Sequence, residues 1–224
     1  TIAIHTEDLK KVSQLFDKFL NSSNEISGSV YIPDEPKSKK FELNKNQIFK
    51  FNDLKYEGSF LAFRLEGDKK SIEERKKNLA KELELNKLKT STLDIHQSVL
   101  FWQKINNLEL FASTKNNVLR AVVPLANNEK LMKYLKNKYK YYIDWSGSLF
   151  WIEVADKDEK KIKEIKKFIL KIDGYLTIIK RSENFSFDEN LFTINENRLF
   201  ISRKIKESFD PKRIFNPGKM YREI

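Results

Sequence analysis

The fold turns on YYIDWSGSLFWIEV, residues 141–154. Tyr141–Trp145 and Leu149–Val154 are aromatic and β-branched runs, and Ser146-Gly147 between them is a turn pair, so the stretch predicts a hairpin. Upstream, Val118–Val123 reads as a strand closed by Pro124, and Asn127–Leu135 as a helix with Leu131, Met132 and Leu135 inward. Downstream, Lys157–Ile172 reads as a helix whose Ile162, Ile165, Phe168, Ile169 and Ile172 form one stripe. Gly174, after Asp173, fits a helix-ending glycine, and Tyr175–Ile179 is a further strand. The hairpin is thus the centre of a strand–helix–strand–strand–helix–strand unit over residues 117–180.

The first part of the chain follows a similar order. Thr1–His5 reads as a strand. Thr6 serves as N-cap of a helix with Glu7 and Asp8 in its first turn, and Leu9, Val12, Leu15, Phe16 and Phe19 fall on one face. Ile26–Ile32 is a strand stopped by Pro33. The lysine-rich stretch to Gly58 has room for a small hairpin. Ser59–Glu66 is a strand and Asp68–Glu84 a helix. Residues 1–90 make one unit and 117–180 a second. The junction, 91–116, carries a short helix, Asp94–Asn107, with Phe101, Trp102 and Ile105. The expectation is an α+β fold: antiparallel sheet or sheets, helices on one face, and two ferredoxin-like units. A C-terminal helix, Asn195–Phe209, and a tail complete residues 195–224.

The chain has 224 residues, 40% of them hydrophobic, enough for a buried core. No apolar run approaches the roughly 20 residues of a membrane helix. Cysteine is absent, which excludes disulfides, cysteine nucleophiles and iron–sulfur ligation by this chain. The formal charge is +11, from 43 basic against 32 acidic residues. Such an excess raises the possibility of nucleic acid. Yet most of it is lysine mixed with acids, whereas base-edge readout favours the guanidinium. His5 and His96 are far apart and read as surface or capping residues, so no histidine base or metal site is expected. Thr1 in place of methionine is read as the seam of a longer chain.

The C-terminal stretch Asp210-Pro211-Lys212-Arg213-Ile214-Phe215-Asn216-Pro217-Gly218-Lys219-Met220-Tyr221 is the most informative. Proline at 211 ends the preceding helix by Phe209. Pro217-Gly218 suits the centre of a type II turn, with Asn216 extended before it. That turn either presents the Asn216 carboxamide to a flat heterocycle or merely pins the tail. Arg120 lies in an apolar strand and needs a partner. It is read either as a carboxylate clamp or a contact to another domain, or as one half of an ion pair with an acid such as Asp144. Trp145 is read as packing or as a stacking partner for a ring. Arg64 is read as a sheet-face ion pair.

The tail resembles the C-terminus of FAD-linked oxidases of the vanillyl-alcohol oxidase fold. Within that family the FAD-binding subunits of glycolate oxidase are similar in order along the whole chain: Arg64-Leu65-Glu66-Gly67, Phe101-Trp102, Leu119-Arg120-Ala121-Val122-Val123-Pro124, and Ile143-Asp144-Trp145-Ser146-Gly147 followed by Phe150-Trp151. Ser146 stands where the subfamily pattern has glycine. The resemblance covers the cap half only. It implies that residues 1–224 form the cap domain, that an N-terminal FAD domain lies elsewhere, and that FAD is held mostly by that domain. It further implies Asn216, Pro217, Gly218 and Trp145 as contacts to FAD, Arg120 as the contact to a small 2-hydroxy acid, no metal ligand, and no assignable catalytic residue. The implied activity is glycolate oxidation in glycolate catabolism. The implied partners are a catalytic flavin subunit and an iron–sulfur subunit. The implied place is the cytoplasm, or the inner face of a membrane through those partners.

Two other readings stay open. One is a basic ferredoxin-like RNA-binding module, although neither Leu61–Gly67 nor Val118–Pro124 carries the Gly/aromatic signature of such a strand. The other is the cap of a catalytic D-lactate or D-2-hydroxyglutarate type dehydrogenase, against which the missing histidines argue.

Overall fold

The computed structural model describes residues 1–34, 58–156, 158–183, 190–219, 221 and 224. The small hairpin expected before Gly58 falls on 35–57, outside the described residues. The first half runs β1 (Ile2–His5), α1 (Leu9–Asn21), β2 (Gly28–Ile32), β3 (Phe60–Arg64), α2 (Lys69–Glu82) and β4 (Thr90–Thr92). α3 (Ile95–Asn106) follows in the junction. The second half runs β5 (Asn117–Val122), α4 (Asn128–Leu135), β6 (Lys140–Asp144), β7 (Leu149–Val154), α5 (Glu159–Lys171) and β8 (Tyr175–Lys180), and α6 (Glu196–Phe209) comes last. Together the strands form one eight-stranded sheet in the order β4-β1-β3-β2-β6-β7-β5-β8. Every pairing is antiparallel.

Both halves have the element order β-α-β-β-α-β, and each orders its own strands fourth, first, third, second. They meet at their second strands, where Tyr31 of β2 pairs with Ile143 of β6. The final strand of the first half was not expected from the sequence. β4 is only Thr90-Ser91-Thr92, too short and polar to carry an alternation, and it forms the sheet edge beside β1.

Strand alternation sends side chains to two faces. Ile2, Ile4, Tyr31, Leu61, Phe63, Leu119, Ala121, Ile143, Phe150 and Ile152 point to the larger core, under the stripes of α1, α2, α4 and α5. Ala3, Val30, Phe60, Ala62, Val118 and Tyr142 point the other way, where Phe101, Trp102 and Ile105 of α3 cover them. Four helices therefore share one face and α3 lies on the other.

Local signals set the ends of the elements. The N-cap of α1 is Asp8, not Thr6: its carboxylate accepts from the Lys10 and Lys11 amides, while the Thr6 hydroxyl accepts from the Asp8 amide at 3.2 Å. α3 opens with a capping box between Asp94 and Gln97. After α5 it is Asp173 that takes the left-handed conformation, at φ +58°, not Gly174. Gly174 is needed for another reason. A Cβ there would lie 2.6 Å from Val123 Cγ1 and 2.8 Å from the Val122 carbonyl oxygen.

Candidate functional site: the open half of the sheet

α3 covers the first half of its face, and the loop after it covers only part of the second. Register places Lys140, Glu153 and Val118 in one cross-strand row, Tyr142, Trp151, Arg120 and Thr177 in the next, and Asp144, Leu149, Val122 and Tyr175 in a third. The first row is sealed. The Lys140 ammonium donates to the Leu110 carbonyl at 2.7 Å and lies 4.0 Å from Glu153. Glu153 accepts from the Thr114 hydroxyl at 2.5 Å and the Asn116 amide at 2.6 Å. Both charged groups are buried, so this row is a structural staple of the loop to the sheet.

The second row is the candidate site. Arg120 is half-buried, and its guanidinium carbon lies 5.0 Å from the centre of the Trp145 ring. Among the described residues no carboxylate pairs with it. Beside it across β5 and β7 is Trp151, whose indole N–H is shielded from solvent and has no hydrogen-bond partner among the described residues. A planar cation on an aromatic shelf suits the two oxygens of a carboxylate.

The ion pair of Arg120 with Asp144, one of the two expectations, is not what forms. Asp144 is turned to the hairpin: its carboxylate accepts from the Trp145 amide at 2.8 Å. Burial pushes its pKa above the usual range, while the Trp145 hydrogen bond and the field of Arg64 pull it back. Arg64 pairs with Glu66 at 3.2 Å and lies over Trp102 at 5.0 Å. The hairpin that carries Trp145 is itself strained, with Trp145 and Ser146 both at φ +50° and Gly147 at φ +94°. The Ser146 hydroxyl is held 3.0 Å from that of Ser29.

Among the described residues the tail makes no hydrogen bond, ion pair or ring contact to Arg120, Trp145 or Trp151, although its Tyr221 packs against Phe192 at the Thr177 end of the row. It folds on the end of α6. Asp210 accepts from the Ile214 and Phe215 amides, each at 2.9 Å, and from Lys206 at 2.7 Å. The Lys206 hydrogen bond is the chief reason that its pKa falls to about 2. Lys206 also donates to the Phe215 carbonyl at 2.5 Å. Asn216 is not extended, as the following proline suggested, but left-handed at φ +47°. Its carbonyl accepts from the Lys219 amide at 3.3 Å, closing a turn with Pro217 and Gly218 at the centre, Gly218 at φ +68°. Asn216 and Pro217 are exposed.

His5 bonds Ser91 at 2.7 Å on the sheet edge, and burial lowers its pKa. His96 is exposed on α3. Among the described residues no group of three His, Asp or Glu side chains could hold a metal ion. Sequence reasoning missed Trp151 as a site residue, although counting the register outward from the hairpin would have set it beside Arg120.

The class that fold and site define is an α+β protein whose open antiparallel sheet face presents an arginine on a tryptophan shelf. No family model matches the chain and no curated protein matches it.

Proposed function

We propose that this chain is the cap half of an FAD-dependent oxidoreductase similar to the FAD-binding subunits of glycolate oxidase, acting on a small 2-hydroxy acid such as glycolate. The observation that carries the reading is Arg120: a guanidinium on the open sheet face, shelved on Trp145, with no carboxylate partner among the described residues. In this reading Arg120 takes the carboxylate of the acid in a bidentate pair and Trp145 fixes the plane of the guanidinium.

The residues fit only one end of the cofactor. The six glycines are spread along the chain, so no glycine cluster cradles a pyrophosphate. Trp145 and the Asn216-Pro217-Gly218 turn would meet the flavin edge, the turn through the Asn216 carboxamide. When bound, FAD supplies the hydride acceptor. The chain's own residues bind and orient the acid. The same reading holds that the protein works in the cytoplasm with a catalytic flavin subunit and an iron–sulfur subunit. Among the described residues no helix is long and apolar enough to cross a membrane.

The test is purification of the full-length protein together with its partners. Flavin absorbance that glycolate bleaches without oxygen is the expected result. A preparation without flavin overturns the proposal.

A further inference from the structure

A cavity of about 310 Å³ opens at the β8 edge of the sheet. Thr177 forms part of its wall and is also the cross-strand neighbour of Arg120, so the cavity lies beside the candidate site. Its walls are β8, the segment around Phe192 that bridges to Thr177, the first turns of α6 and Tyr221 of the tail.

Among the described residues that line it, Arg198 is the single basic one and none is an acid. The Arg198 guanidinium carbon sits 5.6 Å from the centre of the Tyr175 ring. It has no carboxylate partner among the described residues. A cation–π contact of this kind leaves the guanidinium's N–H donors free for an anion. Phe192 and Ile201 give apolar wall, and Thr177 and Ser202 bring hydroxyls. The volume is at the small end of the range for small-molecule sites, about 300–1,000 Å³.

We infer that this cavity binds a small organic monocarboxylate with an aromatic or branched body. The carboxylate pairs with the donor edge of Arg198, and the body lies against Phe192 and Ile201. A bare inorganic anion would leave the apolar wall unused. The site is separate from Arg120 and does not depend on the flavin reading. It gives the protein a second acid-binding position.

The experiment is an amide-resolved NMR titration of the chain with benzoate, with benzamide as the neutral isostere. Benzoate is expected to give saturable shifts at Thr177, Thr193 and Ser202, and benzamide to bind at least ~10-fold more weakly. Arg198→Gln should weaken benzoate by ~10-fold or more and leave benzamide as it was. The Arg198 side chain is exposed and α6 buries no residue, so this variant keeps its fold, which the same spectra verify. Ser202→Leu, which fills the cavity and keeps Arg198, should block both probes. Arg120→Gln should leave the benzoate shifts at Thr193 and Ser202, the reporters off the Arg120 row, as they are. The inference is overturned if benzoate gives no saturable shift, if Arg198→Gln binds it as the wild type does, if Arg120→Gln is the variant that loses it, or if inorganic phosphate binds as tightly.

Discussion

Replacing Gly147 with alanine perturbs the hairpin that carries Trp145. Gly147 has φ +94°, a conformation that costs an L-residue about 1–2 kcal/mol. The new methyl group also has no room. Its carbon would lie 2.7 Å from Asn128 Nδ2, 2.8 Å from Phe16 Cδ2 and 2.9 Å from Leu125 Cδ1. Phe16 and Asn128 are fully buried, and Asn128 is held by the Ser13 hydroxyl at 2.6 Å, so neither can simply swing aside. Overpacking of this kind costs about 1–3 kcal/mol. The two terms predict a loss of about 2–5 kcal/mol, measured as a fall in the urea midpoint at unchanged slope. Because the same turn sets the Trp145 ring under Arg120, tryptophan fluorescence of the folded variant should change as well. A loss below about 1 kcal/mol would refute the reasoning, since both terms would then have been absorbed without cost.

Ser146→Gly should be near neutral, because relief of its left-handed strain, about 1 kcal/mol, is offset by loss of the Ser29 hydrogen bond, about 0.5–1.5 kcal/mol. In a Ser29→Ala background the same change should stabilise by about 1 kcal/mol, and a destabilisation in denaturant titration would contradict this. Glu153→Ala should cost about 3–5 kcal/mol, since it leaves the Lys140 ammonium in a buried site without its acid, whereas replacing both by apolar residues should recover most of the loss. Asp210 has its pKa lowered in the folded tail, so its contribution is complete above the ordinary aspartate range and is lost as pH falls toward about 2. The protection of the Ile214 and Phe215 amides, taken relative to the intrinsic exchange rate at each pH, should therefore fall over that acid window, and Asp210→Asn should lower it already at neutral pH.

Much of the fold was legible because its local signals do not compete. The hairpin at 141–154 is a pair of aromatic and β-branched runs about a Ser-Gly turn, and the stripes of α1 and α5 repeat at helical spacing, so both could be read without a partner in view. What stayed hidden depends on long-range placement. The apolar side of α3 is visible in Phe101, Trp102 and Ile105, but nothing local says which sheet face it seeks. Thr90–Thr92 is a strand only because β1 offers it an edge. The left-handed residues were misplaced for a related reason. Glycine and pre-proline rules are preferences, and at Asp173 and Asn216 the surrounding chain overrides them.

The candidate site was legible to the same degree. Arg120 stands out as a cation in an apolar strand, and its need for a partner is general. The partner itself is set by the turn: the hairpin curls Trp145 under the guanidinium and points Asp144 to its own backbone. Arg198 did not stand out at all. It lies in a mixed helix, and the residues that give it meaning, Tyr175 and Thr177, reach it only through the sheet edge.

The central claim is that Arg120 receives the carboxylate of a 2-hydroxy acid. Its most direct test is the glycolate dependence of anaerobic flavin bleaching in the full-length protein with its partners, wild type against Arg120→Gln. Loss of a charge-assisted bidentate pair predicts that the variant keeps its flavin and needs ~10-fold or more glycolate for half-bleaching. An unchanged glycolate dependence in a flavin-loaded variant would contradict the account.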